Sequence, residues 1–234
     1  MNRAMIKVPV APVRGLPSDP SEMVTQFLFG EQVEILEEKE QWRKCRSMND
    51  GYEGWLDEKL LDLDGVIPSA LVFSPLAKAK TQYGEYYCPA GSKVDLASGS
   101  APKDLLDAAQ RFEGAPYLWG GKTILGIDCS GLTQVAAALY GIQIPRDAKD
   151  QIQVGEEVPF ASLAESNDLA FFDNEEGKII HVGVIRKNAE QDFSILHAAG
   201  EVRWDRFDQQ GIFREDRGKY THKLRMIRRL NLNS

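Results

Sequence analysis

The stretch ASGSAPKD, residues 97–104, is small, polar and interrupted by proline, and it separates two parts of the chain whose apolar residues follow different periods. Before it, the runs QFLFGEQVEILEE, WRKCRS and YEGWLDEKLL are short and rich in Val, Ile, Phe, Tyr and Trp, with turn signals such as MNDG (48–51) between them. Asn, Asp and Gly tolerate the positive φ of tight hairpin turns, so WRKCRS and YEGW are expected to pair. A small β-barrel is the expected result, and residues 66–97, with ALVFSPL and YYCPAGSKVDL, are expected to finish it and lead out. After the stretch the period changes. PKDLLDAAQRF carries Leu105, Leu106, Ala109 and Phe112 at helical spacing, with Pro102 where a first turn accepts it. DCSGLTQVAAALYG repeats Leu132, Val135, Ala136 and Leu139 at three and four residues, and Gly141 offers a C-terminal stop. Beyond it DLAFFD, IIHVGVIR and FSILHAAG are β-type runs, so helices precede a strand meander in an α+β order. The expected domains are residues 1–98 and 99–234.

Length allows one large or two small domains, and composition narrows the partners. Hydrophobic residues make up 43% of 234, with 27% charged, an ordinary globular balance. The net charge of -7 offers no basic surface for a phosphate backbone, so nucleic acid is not an expected partner. MNRAMIKVPVAPVRG lacks the apolar core of a secretory signal, and no apolar run is long enough to span a bilayer, so a soluble, cytoplasmic protein without a membrane partner is expected. Cys45, Cys88 and Cys129 are an odd, sparse set without a CxxC pair, too few for a disulfide framework or a structural zinc site. No cofactor or metal is expected.

Chemistry concentrates around one thiol. Asp128 is a good N-cap, which puts Cys129 in the first turn of its helix, where unpaired N–H groups and the helix dipole are expected to lower its pKa. A small buried hydrophobe, a metal ligand and a nucleophile are all open readings of such a cysteine. Only three histidines occur. In IIHVGVI the alternation sets Ile179, His181, Gly183 and Ile185 on one face, and in FSILHAA it joins Phe193, Ile195 and His197. If these strands pair as a hairpin, His181 and His197 become neighbours, and nucleophilic catalysis requires a thiol, a base and a group that orients the base. His222, after the polar RGKY, is expected at the surface.

The first part, with Trp42 and the DGYEGW hairpin, resembles a bacterial SH3 (SH3b) domain. The second, with GAPYLWGGKTILGIDCSGLTQ followed by IPRDAKDQ, DLAFFD, HVGVI and LHAAG, resembles the NlpC/P60 papain-like cysteine peptidases over most of residues 103–230. The pairing of the two resembles the γ-D-glutamyl-L-diamino acid endopeptidases that process released murein peptides. The resemblance implies an SH3-like β-barrel followed by a papain-like α+β domain, with Cys129 as nucleophile, His181 as general base and His197 as the residue that orients it. It implies Tyr117 near the oxyanion, and an acceptor-rich pocket for the free amino end of L-Ala-γ-D-Glu-diamino acid peptides. Asp147 and Ser130 match that pocket, and Glu22 and Tyr52 are the SH3b candidates for it. Ala148 stands where a serine often follows the aspartate, which removes one contact. Arg146 and Lys122 are possible partners for substrate carboxylates, with surface solvation the blander reading. A non-catalytic, SH3b-tethered murein-binding module and a cysteine amidase acting on another amide are the alternatives.

Overall fold

The computed structural model describes residues 3–189 and 192–230. The chain forms two compact units, Met1–Ala101 with Leu118–Gly126, and Pro102–Tyr117 with Ile127–Ser234. The segment 118–126, expected with the second domain, thus belongs to the first unit.

In the first unit, strands β1 (Arg3–Ile6), β2 (Val10–Arg14), β3 (Met23–Leu28), β4 (Gln32–Lys39), β5 (Trp42–Ser47), β6 (Glu53–Asp57) and β7 (Leu61–Asp62) form one sheet in the order β3-β2-β6-β5-β4-β1-β7. The sheet curls on itself, since Phe27 of β3 and Leu61 of β7, at opposite ends of that order, share a core with Ile6, Val13, Val33, Cys45 and Leu56. The β5–β6 hairpin forms at the MNDG turn, with Arg46 opposite Glu53 and Gly51 at φ 76°.

Residues 66–97 do not finish this barrel. β8 (Ala70–Leu71) pairs with β11 (Lys93–Val94), and β9 (Leu76–Thr81) with β10 (Gly84–Pro89), as two separate two-stranded sheets. The physical reason is a second small core. Phe29, at the end of β3, is buried with Val72, Ala79, Cys88 and Val94, and the rings of Tyr83 and Tyr86 meet it edge-on at 6.1 and 6.0 Å.

The segment 118–126 is held by polar and steric fit. The backbone N–H of Lys122 donates to Gln26 Oε1 at 2.8 Å, and Lys122 Nζ lies 3.5 Å from Glu31 Oε1, both side chains being buried. Lys122 is therefore an internal partner of Glu31 rather than a solvated side chain or a substrate contact. Burial raises the Glu31 carboxyl, and the Lys122 ammonium opposes that rise. Gly120 has φ 76°, and a Cβ there would stand 2.5 Å from the Met23 carbonyl oxygen.

The second unit begins with α1 (Leu105–Gln110), capped by Asp104, whose Oδ1 accepts from the Asp107 N–H at 2.7 Å. The chain passes through the first unit in the short strand β12 (Lys122–Thr123) and returns through β13 (Gly126–Ile127) to α2 (Cys129–Leu139), followed by α3 (Ala148–Gln151) and β14 (Glu156–Val158). The strand meander then runs through β15 (Leu169–Asp173), β16 (Ile179–Ala189), β17 (Asp192–Ala199), β18 (Glu201–Asp208), β19 (Gly211–Arg214) and β20 (Lys219–Arg229). The sheet order is β14-β20-β15-β16-β17-β18-β19, and β20 also pairs with β19, so six strands close into a ring. Phe172, Ile185, Phe193, Ile195, Phe207, Ile212 and Ile227 fill its interior, while α1 and α2 pack against β16 and α2 also touches β17.

Gly120→Ala is expected to lower stability by about 1–2 kcal/mol from the left-handed backbone alone, with more from the crowded Met23 carbonyl. A urea-unfolding midpoint equal to that of the wild type would contradict this account.

Candidate active site

Helix α2 starts at a cap that is itself locked. Asp128 Oδ1 accepts from the Gly131 N–H at 2.7 Å, and the two Asp128 oxygens take NH1 and NH2 of Arg146 at 3.0 and 2.7 Å. Ser130 Oγ donates to Asp128 Oδ1 at 3.3 Å and accepts from Arg146 NH1 at 2.8 Å. Arg146 is only 3% exposed. Neither of its expected settings, solvent or a substrate carboxylate, matches this buried fork on the cap of α2. Gln151 adds a second tie, donating to the Ser130 and Pro145 carbonyls at 3.0 and 2.8 Å.

Cys129 therefore sits at the first residue of α2, as its spacing from Asp128 predicts, but its chemistry differs from expectation. Burial pushes its thiol up to about 12, the Asp128 carboxylate adds to the rise, and the N–H groups of Val182 and Ser130 only partly offset them. The cap that begins the helix also sets a negative charge beside the thiol, and desolvation outweighs the dipole.

The β16–β17 hairpin forms, with Val184 opposite Leu196 and Ile185 opposite Ile195. It brings His181 Nε2 to 2.8 Å from His197 Nδ1, with both rings buried. Gly183, between the two chains, leaves the room: a Cβ there would meet His197 Cβ at 2.9 Å. His197 Nε2 in turn lies 3.0 Å from Asp205 Oδ2, and Asp205 Oδ1 accepts from Arg203 NH2 at 3.0 Å. The sequence alone does not single out Asp205. Its signal is a carboxylate on the same alternating face of EVRWDRFD as the buried Phe207, opposite the buried Ile195.

His222 is half-buried rather than a solvated surface side chain. It stacks on His181 with ring centroids 4.3 Å apart and planes 25° apart, and it lies 5.8 Å from His197. The reason is β20, whose pairing with β19 sets His222 opposite the buried Ile212. All three histidines thus form one layer over Phe172, which touches the rings of both His181 and His222. Burial and the neighbouring His197 and His222 rings hold His181 well below the ordinary imidazole range. Burial, followed by His197, brings His222 down to about 4.

Tyr117 donates its backbone N–H to the Gly200 carbonyl at 2.8 Å and bridges to Ile127, the residue before Asp128. Burial, followed by the charges of Cys129 and Asp128, raises its phenol to about 12, so the hydroxyl keeps its proton. Asp147 occupies the N-cap position of α3 without making a cap hydrogen bond, and Lys149 Nζ lies 3.5 Å from its Oδ2. Glu22 and Tyr52 belong to the first unit. Glu22 is exposed and accepts from Trp119 Nε1 at 2.6 Å, while Tyr52 is half-buried in the β5–β6 turn, outside the barrel core, with its N–H on Asp50 Oδ1 at 3.0 Å. Among the described residues, no group of three or more His, Cys, Asp and Glu side chains is arranged to hold a metal ion.

Comparison with known proteins gives the family of each part of the chain. The profile of the NlpC/P60 family matches residues 114–219, and that of the bacterial dipeptidyl-peptidase SH3 domain matches residues 13–61. The γ-D-glutamyl-L-lysine dipeptidyl-peptidase of Bacillus subtilis is 32% identical over 203 residues, covering 68% of each chain. The protein of the same name from Bacillus cereus is 26% identical over 211 residues, covering 69% of this chain and 63% of that one. In fold, the chain is similar to the crystal structure of an NlpC/P60 family protein from Bacillus cereus, with a TM-score of 0.71 at 20% identity over 97% of this chain and 99% of that chain. An NlpC/P60 endopeptidase from Photobacterium damselae gives a TM-score of 0.64 at 13% identity, over 96% of this chain and 70% of that one. The chain thus carries a bacterial SH3 domain and belongs to the NlpC/P60 family of cysteine peptidases.

Proposed function

We propose that the protein hydrolyses the γ-D-glutamyl–diamino acid bond of murein-derived peptides that carry a free amino-terminal L-Ala, with Cys129 as nucleophile. The observation that carries this reading is the bonded pair His181 and His197, together with a thiol that accepts from the N–H of Val182, the residue after His181, and from that of Ser130. The names of the two Bacillus relatives supply the bond type. Peptides with a free amino end are those already released from the wall, and the protein would act in their breakdown.

His181 Nε2 is engaged by His197, so Nδ1 is the nitrogen left for the thiol. With the thiol pushed up and the imidazole pushed down, the resting pair is neutral. The proton therefore passes from Sγ to His181 Nδ1 as sulfur attacks the carbonyl carbon. The oxyanion that forms would be met by the Tyr117 hydroxyl and by the backbone N–H of Cys129 at the start of α2. Collapse breaks the C–N bond, and the imidazolium gives its proton to the leaving amine. A water molecule, deprotonated by the same nitrogen, then cleaves the thioester and releases the D-glutamate carboxylate together with the free thiol.

For the substrate ammonium, Asp147 offers a carboxylate not committed to capping α3. Ser130 Oγ donates once and accepts once within the cap network, which leaves it one lone pair for such a cation.

Mass spectrometry of L-Ala-γ-D-Glu-L-Lys and of the diaminopimelate tripeptide is expected to show release of L-Ala-D-Glu by the wild type. Cys129→Ala should lower the rate on the order of 10^4- to 10^6-fold, and acetylation of the amino end should abolish cleavage. Asp147→Ala is expected to raise KM about 10- to 100-fold, the worth of one charged hydrogen bond. No cleavage of either free tripeptide would refute the reading. Because burial pushes the Cys129 thiol up to about 12, its reaction with iodoacetamide should rise about tenfold per pH unit between pH 6 and 9, without a plateau near neutrality. Peptide-resolved mass spectrometry reads this, and a plateau at pH 7 would instead mean a resting thiolate.

A further inference from the structure

We propose that Asp205 is a positioning residue that sets the hydrogen placement on both imidazoles, and through them the nitrogen offered to the Cys129 thiol. The proposal deepens the function above and rests on the same site.

An ionised carboxylate can only accept hydrogen bonds. With Asp205 Oδ2 3.0 Å from His197 Nε2, that nitrogen must carry the hydrogen. A neutral imidazole has a single N–H, so His197 Nδ1 is bare and acts as an acceptor. It lies 2.8 Å from His181 Nε2, which must therefore be the donor. His181 Nδ1 is then bare, and it is the nitrogen able to take a proton from the thiol. When His181 becomes an imidazolium, its Nε2–H still donates to His197, so the same arrangement serves both protonation states. One carboxylate thus fixes two tautomers in series.

The fold makes the arrangement rigid. Asp205 sits opposite Ile195 on the β17–β18 ladder, and His197 sits opposite Arg203. The second Asp205 oxygen is held by Arg203 NH2 at 3.0 Å. The Asp205 side chain is 3% exposed, which keeps water from competing for it. The stacked ring of His222 covers one face of His181 and restricts its rotation. Around His197 the titratable and charged groups are His181 on β16, Arg203 and Asp205 on β18, Arg214 on β19 and His222 on β20.

Asp205→Asn makes the proposal sharp. Arg203 donates at the Oδ1 position, so it retains the amide oxygen there and turns the amide NH2 toward His197. His197 Nε2 must then accept, its hydrogen moves to Nδ1, His181 Nε2 must accept in turn, and His181 Nδ1 presents a hydrogen to the thiol instead of a lone pair. A base has been converted into a donor two residues away.

Because the chain has only three histidines, long-range 1H–15N correlation spectra can be assigned to all six ring nitrogens. The wild type is expected to show Nε2–H and bare Nδ1 in both His181 and His197. Asp205→Asn is expected to invert both. It should also lower kcat for the tripeptide on the order of 10^2- to 10^4-fold, with KM within about twofold, since Asp205 touches no substrate. Asp205→Glu, which keeps an acceptor-only group, should retain the wild-type tautomers and more of the rate. A wild-type His181 protonated at Nδ1, or an Asp205→Asn variant with unchanged tautomers, would overturn the proposal. If Asp205→Asn does not fold, the wild-type and Asp205→Glu spectra decide alone. The spectra need no substrate, so a wild type that leaves the tripeptide intact would refute the proposed function while still deciding the role of Asp205.

Discussion

The buried fork between Asp128 and Arg146 is the interaction on which the site depends. Asp128 caps α2 through the Gly131 N–H, and without Arg146 it would be an isolated carboxylate at 5% exposure. Removing one member of such a pair costs about 3–5 kcal/mol, because the other charge stays buried and unpaired. Here the loss would also free the start of α2, where Cys129, Ser130 and the capped Gly131 N–H come together. Gln151 reinforces the same point by joining the Ser130 carbonyl to the Pro145 carbonyl and accepting from Thr133 Oγ1 at 2.8 Å. The IPRD and DCSG segments, 18 residues apart between Asp128 and Arg146, are thus one mechanical unit.

The second constraint is closure of the β-ring. β20 pairs with β15 and with β19, which covers the β19 edge and brings inward-facing residues from five strands to one level. Phe172, His181, His197, Asp205 and His222 lie in that layer, above an interior of Ile and Phe. An apolar floor keeps the imidazoles neutral and makes each hydrogen bond among them directional, because few competing polar groups lie within reach.

Much of this was legible in the sequence, for identifiable reasons. The periods of DCSGLTQVAAALYG, IIHVGVIR and FSILHAAG are local properties, and α2, β16 and β17 follow them. The neighbouring of His181 and His197 needed only that two alternating strands pair. What escaped depends on contacts distant in sequence. His222 reads as a polar-surface residue until β20 closes against β19, and Arg146 reads as a solvated cation until it meets Asp128. Residues 66–97 carry the composition of barrel strands, and only the position of Phe29 gives them a core of their own. The raised thiol is not legible in the sequence, because helix position and the Asp128 cap are visible there while burial is not. Asp205 lies within a legible strand, and its meaning appears only through its partners.

The raised thiol of Cys129 also bears on how the protein meets oxidants. Peroxide attacks thiolates far faster than thiols, so a cysteine that stays protonated at rest is a poor entry to the sulfenic-acid ladder. Cys45 and Cys88 are likewise pushed up by burial, to about 12 and about 11, and all three sulfurs are buried. Under the proposed role, a Cys129 sulfur that becomes reactive only while a carbonyl carbon is in place to receive it would be sheltered from redox damage between turnovers.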